Sequence, residues 1–308
     1  MSSIFNDFCN LIMIDLTRIP WYKKGEAVVM KIPPFWIREK CRGCDGTMWK
    51  LRGISYNSME EARSRLETRR QLRKSFATEQ APNVEVYRSE LRTLDELQQD
   101  EYNTLMLEPV LHVLGEGELI TRNRYGVSVL NSSSLCFVDV DKFPLSFTQK
   151  LLSFFGKKTD AEMLLIERLR CLCREDESLG ARLYRTHRGW RVMLRAQGIS
   201  PDSDRMKQLF KALHADPLYA SLCERQGCWR ARLSPKPYRV GMRGFPCPDS
   251  SDSYDSDEII DWVSAYEQAC EGKAVCRLVE CFGRSISGEL VEWHDLATRA
   301  RIPDLPLA

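Results

Sequence analysis

SSSLCFVDVDKFP, residues 132–144, reads as a strand that delivers two acids at its far end. The run Leu135 to Val140 is apolar and β-prone, bounded by serines and a proline, which is the pattern of a buried strand. Residues i and i+2 of a strand share a face, so Asp139 and Asp141 project together from its C-terminal end. Two ionised carboxylates side by side need neutralising. A hard divalent cation, Mg²⁺ or Mn²⁺, does this with oxygen ligands. The plainer alternative makes one acid a helix cap and leaves the other solvated.

The flanking sequence alternates in type. Upstream, LMLEPVLHVLGEG (105–117) forms a strand or short helix and ELITRNRYGVSVL (118–130) a hairpin strand. Downstream, LSFTQKLLSFF (145–155) and DAEMLLIERLRCLCRED (160–176) carry apolar residues at helical period. ARLYRTHRGWRVMLRAQG (181–198) is a pair of strands around a turn at Arg188-Gly189. Residues 203–227 are helical with an interruption near Asp216-Pro217, and CWRARLSPKPYRVGM (228–242) is a strand running into a proline-rich loop. This order between 117 and 243 predicts an α+β fold with an RRM-like βαββαβ sheet core and helices on one face.

The remainder is read as an N-terminal region, 1–104, and an acidic linker with a C-terminal helical extension, 248–308, around a core of 105–247. Within the first, residues 24–33 predict a short strand and 33–46 a turn-rich loop. Ser58 with Glu61 three residues on predicts a charged helix to about Phe76, and 77–100 reads as a linker. That helix either carries ordinary i,i+4 ion pairs or lays Arg69, Arg70, Arg73 and Lys74 on nucleic-acid phosphates. In the third segment, 258–270 is an amphipathic helix, the rest is partly helical, and RIPDLPLA (301–308) is expected to be extended or disordered.

Composition narrows the class. The chain has 308 residues, 43% of them hydrophobic, enough for a sizeable core. No stretch approaches the ~20 apolar residues of a membrane span, and the first residues lack a basic run before their apolar patch. A cytoplasmic protein without a membrane partner is expected. The 12 cysteines are dispersed, as reduced thiols packing like small hydrophobes are. Cys41-x-x-Cys44 has the spacing of half a zinc site. Cys171 with Cys173, or Cys223 with Cys228, would have to complete it; plain thiols are the alternative. The net charge of +2 announces no polyanion by itself, but Arg and Lys crowd Arg63 to Lys74 and Arg182 to Arg243.

Two further segments carry chemistry-bearing residues. Around Gly189, Thr186, His187 and Arg191 are placed to face a phosphate, or else simply decorate a surface hairpin. In WRARL, Arg230 and Arg232 alternate with apolar residues and so share a face of a strand, with Lys236 shortly after. Arginine suits forked contacts with phosphate; Arg–Asp pairs closing a structural loop are the rival reading. Trp190 and Trp229 read as core, although aromatics among arginines also stack on bases.

Taken in order, the DxD at a strand end, the Thr-containing glycine turn, the later Asp216, and the R-x-R…S-x-K-P segment resemble the archaeo-eukaryotic primase superfamily, the primase-polymerases, over roughly 110 residues. The resemblance implies metal-dependent nucleotidyl transfer on nucleic acid. Asp139, Asp141 and Asp216 would hold Mg²⁺ or Mn²⁺. Thr186, His187, Arg188 and Arg191 would meet a nucleoside triphosphate, and Arg230, Arg232 and Lys236 would hold its phosphates. One departure stands out: Arg191 occupies the position of the family's histidine, and His187 lies four residues earlier. A non-catalytic nucleic-acid-binding or interaction module on the same fold, and a metal-dependent nuclease, are the alternatives.

Overall fold

The computed structural model describes residues 31–42, 46, 48–77, 104–143 and 161–308. It is a mixed α+β protein with ten strands and six α-helices among those residues. The strands are β1 (Phe35–Arg42), β2 (Met48–Ser55), β3 (Val110–Gly115), β4 (Glu118–Arg122), β5 (Ser128–Ser132), β6 (Cys136–Val140), β7 (Gly180–Thr186), β8 (Trp190–Arg195), β9 (Trp229–Arg232) and β10 (Cys276–Gly283). The helices are α1 (Met59–Ala77), α2 (Ala161–Glu175), α3 (Asp204–Ala212), α4 (Pro217–Gln226), α5 (Asp257–Ala269) and α6 (Glu289–Ala297). The helix expected over 145–155, the linker at 77–100 save its first residue, the strand at 24–33 save its end, and Cys44 lie outside the described residues. None of the described helices is long and apolar enough to cross a membrane.

The chain forms two compact units, each assembled from separated stretches. The first takes the described part of Met1–Leu111 with Arg122–Gly126 and Gly244–Ala265; the second takes His112–Thr121, Val127–Arg243 and Tyr266–Ala308.

In the first unit, β1 and β2 pair antiparallel from Phe35↔Ser55 to Arg42↔Met48. The turn-rich loop expected over 33–46 is therefore mostly strand. Arg38, Lys40 and Arg42 interrupt the apolar run that would have announced it. Helix α1 covers one face of this hairpin. Its close approach requires Gly53, where a Cβ would stand 1.8 Å from the Ala62 carbonyl oxygen. Ser58 caps α1 as expected, its Oγ accepting from Glu61 N at 3.1 Å. On the other face, Trp36 and Ile54 join Tyr254, Ile259 and Val263 in a buried cluster.

The second unit carries two four-stranded sheets, apart from the ends of β3 and β4. One has the order β10-β7-β8-β6 and the other β3-β4-β5-β9. In the first sheet every neighbouring pair is antiparallel. A βαββαβ core would seat the last strand beside β6 in the same sheet; here β9 bonds to β5 instead, Val129↔Arg232 to Ser132↔Trp229. Strand alternation puts Phe137, Asp139, Arg182, Tyr184, Arg191 and Met193 on one face of the first sheet. Cys136, Val138, Leu183, Val192 and Leu194 take the other face. Helices α2 and α3 pack on the second of these faces, where Cys136 Sγ lies 3.4 Å from Met206 Sδ and Trp190 Nε1 donates to Glu162 at 2.8 Å. Helix α6 covers the first, with the His294 ring 5.4 Å from Phe137 and 5.1 Å from Tyr184. The C-terminal residues are not loose: Ala308 N donates to Ala274 O at 3.0 Å, and Ala308 is buried. Backbone pairing holds this tail, so of the two expectations, extended or disordered, the extended one fits.

Candidate functional site

Strand β6 ends at Val140, so Asp139 is its penultimate residue and Asp141 lies just past the end, exposed. Directly across the sheet from Asp139 is Arg191. Its guanidinium is fully buried, with Nε 3.2 Å from Asp139 Oδ1 and Nη1 donating to the Arg232 carbonyl at 2.9 Å. Burial works against this charge, and the Asp139 carboxylate outweighs it, leaving Arg191 above its ordinary value. Arg191 thus ties β6 to β9 from inside the protein, and a phosphate in solvent does not reach it. Asp139 itself is about a quarter exposed and keeps its second oxygen for another partner.

The glycine turn closes on the acids. A Cβ at Gly189 would stand 2.3 Å from the Val140 carbonyl oxygen and 3.0 Å from Asp141 Cα, so only glycine lets the β7–β8 turn lie against the end of β6. His187 turns away, its Nδ1 2.8 Å from the Leu307 carbonyl. Thr186 closes the turn through its backbone, N to Gly189 O at 2.8 Å. Arg188 is exposed.

Asp216 also arrives beside β6, its N donating to the Asp139 carbonyl at 3.1 Å. Its carboxylate caps α4, accepting from Leu218 N at 2.8 Å and Tyr219 N at 3.3 Å. Tyr219 is a residue that sequence reasoning missed. Its hydroxyl lies 3.0 Å from both the Phe137 and Arg230 carbonyls and accepts from Arg230 N at 3.3 Å, joining the two sheets at their adjacent edges. Burial holds its phenol well above the ordinary value, so it stays a neutral donor. Only its place two residues after Pro217 could have marked it.

Arg232 and the loop after β9 bring positive charge to the same edge. Desolvation lowers the Arg232 guanidinium, Asp139 opposes that, and the like charges of Arg191 and Arg239 add to it. Tyr238 is exposed. The little desolvation it has raises its phenol, but the Arg239 hydrogen bond and the charges of Arg239, Lys236 and Arg188 outweigh this and leave it below the ordinary tyrosine value. Arg239 thus hydrogen-bonds this hydroxyl, and the charges of Lys236 and Arg188 reach it too. Arg230 points elsewhere, its Nη1 3.5 Å from Gln226 Oε1. Ser234 serves the backbone, accepting from Ser128 N at 3.0 Å. Trp229 is core, as read from sequence, while Trp190 is half-buried on Glu162.

Among the described residues no three His, Cys, Asp or Glu side chains cluster as a metal-holding group. Two carboxylates nonetheless suit Mg²⁺, which is commonly bound through one or two of them with the remaining ligands from phosphate and water. For zinc, Cys41 stands on β1 and its partner Cys44 is outside the described residues. Burial pushes the Cys223 thiol up to about 12 and the Cys173 thiol up to about 11. Compared with models of known families, with curated proteins and with solved structures, the chain matches none.

Proposed function

We propose that the joined edges of β6 and β9 form a polyphosphate site of the primase-polymerase type, used for metal-dependent nucleotidyl transfer on nucleic acid. The finer sheet pattern belongs to the same proposal: β7, β8 and β6 take RRM-like positions and β9 stands in for the fourth strand. One observation carries it. Arg232 acts on Asp139, the Gly189 turn that carries Arg188 lies against Asp141, and Arg188, Lys236 and Arg239 all act on the Tyr238 hydroxyl, although the acids, the turn and the loop after β9 are three separated segments. Crowded guanidiniums beside few carboxylates favour an anion with several oxygens. Asp139 and Asp141 would hold Mg²⁺ or Mn²⁺, which would stabilise charge on the transferring phosphate.

A second reading has its own support. Arg191 occupies one oxygen of Asp139, and Asp216 is committed to a helix cap. Both favour a module that binds nucleotide or nucleic-acid phosphate without transferring it.

Calorimetric titration with Mn²⁺ and a nucleoside triphosphate, for wild type and Asp141→Ala, tests the site, and primer extension separates the two readings. Metal-dependent binding lost in Asp141→Ala, together with strand extension by wild type, supports transfer. Binding without extension selects the silent module. No nucleotide binding by wild type would end the transfer reading, and no oligonucleotide binding beside it would end both.

A further inference from the structure

We propose that the open face of the β1–β2 hairpin is a docking surface for a nucleic-acid backbone, separate from the site at Asp139. Residues 35–77 hold eleven Lys and Arg against five Asp and Glu, whereas the remaining chain, with 34 against 38, is net negative. Residues 182–243, with fourteen against four, form the other basic segment, and outside these two the chain is strongly acidic. Helix α1 consumes its share. Arg63 pairs with Asp252 at 2.6 Å, Arg65 with Glu61 at 2.7 Å, and Arg70 with Glu39 and Glu67. Arg69 donates to the Arg52 carbonyl at 2.7 Å, and Arg73 sits 5.8 Å over the Trp49 ring. Apart from exposed Lys74, the cations that sequence pointed to on this helix are thus turned to structural use.

The hairpin face away from α1 behaves differently. Pairing puts Lys40 directly opposite Lys50 and Arg38 opposite Arg52, with Arg42 opposite Met48. Like charges directly across a sheet oppose folding, so the exposed Lys40–Lys50 pair favours an anion over it. Arg38 is anchored at the inner end, donating to Cys247 Sγ at 3.0 Å and Pro248 O at 2.6 Å. Lys40, Arg42 and Lys50 are exposed and have no ion pair among the described residues. Same-face neighbours along a strand repeat at about 6.8 Å, comparable to the separation of successive phosphates on an extended nucleic-acid strand. A two-row ladder of cations fits a backbone of regularly spaced single charges. Among the described residues, Met48 is the one large apolar side chain exposed on this face, too little for insertion into lipid.

Fluorescence anisotropy of the full chain with labelled single-stranded DNA and RNA, across a salt series, reads the interaction. Lys50→Glu creates an opposite-charge pair with Lys40, so it should hold or raise the melting temperature while weakening binding. Lys40→Glu/Lys50→Glu should weaken binding about tenfold or more and flatten the log K against log salt slope by about 1.4. Mn²⁺-nucleotide titration of the same variants should match wild type, which keeps this surface distinguishable from the site at Asp141. Unchanged oligonucleotide affinity in the folded double variant, or preference for phosphatidylserine vesicles over both oligonucleotides, would overturn the assignment.

Discussion

Asp139 has two duties that one substitution does not separate. It is a candidate cation ligand and also the partner of a fully buried guanidinium. Removing one member of a buried pair leaves the other charge uncompensated, so Asp139→Ala should cost about 3 kcal/mol in denaturant unfolding. Asp141 is exposed, and Asp141→Ala should change stability by no more than about 0.5 kcal/mol; for that reason it is the cleaner probe of binding. Nearby, burial pushes the His294 imidazole down to about 4, with Asp295 opposing and Arg191 assisting. The unfolded chain binds a proton below about 6.5 that the folded chain refuses until about 4. Stability should therefore fall as pH drops through that window, by about 3 kcal/mol in all. His294→Phe should lose this part of the dependence in urea midpoints measured from pH 7 to 4.5. At this scale the sequence was informative about the acids and the glycine turn, because their chemistry is local. The burial of Arg191 was not legible. An arginine in an apolar strand looks the same whether it points at solvent or at an aspartate across the sheet.

Asp216 shows how an element can settle what a side chain is for. As the N-cap of α4 it is worth about 1 kcal/mol, the expected loss in Asp216→Ala. Serine caps nearly as well, so Asp216→Ser should melt close to wild type. If metal-dependent nucleotide binding also survives in Asp216→Ser, Asp216 is a cap alone; if it disappears, the carboxylate is a ligand too. The turn at Gly189 makes a firmer claim on its element. Gly189→Ala drives a Cβ into the backbone of Val140 and Asp141, and about 2 kcal/mol or more should be lost in the same assay. Helices α1 and α2 and the break before α4 were readable from period and caps. Strand β10 was not, because its residues, Cys276–Gly283, alternate poorly and contain a register shift between Leu278 and Glu280. Nor was β9's choice of β5 as partner, since a four-residue strand carries no record of which edge it will meet.

Across the whole molecule, positive charge gathers in two segments, 35–77 and 182–243, which the net charge of +2 hides. Sequence ranges also fail to correspond to units here, because Gly244–Ala265 returns to complete a unit begun before Leu111. No local signal marks such a return; it rests on apolar residues such as Ile259 and Val263 finding Trp36 and Ile54. That arrangement has a consequence for the protein while it is being made. Trp36 N finds its partner Ser251 Oγ 215 positions later. At bacterial to eukaryotic elongation rates the ribosome needs roughly 10–40 s to cover that distance. Throughout this interval the tryptophan face of the hairpin has been synthesised, and Tyr254, Ile259 and Val263, which bury it, do not yet exist. The nascent chain must keep an apolar surface apart from its neighbours until nearly all of it has emerged.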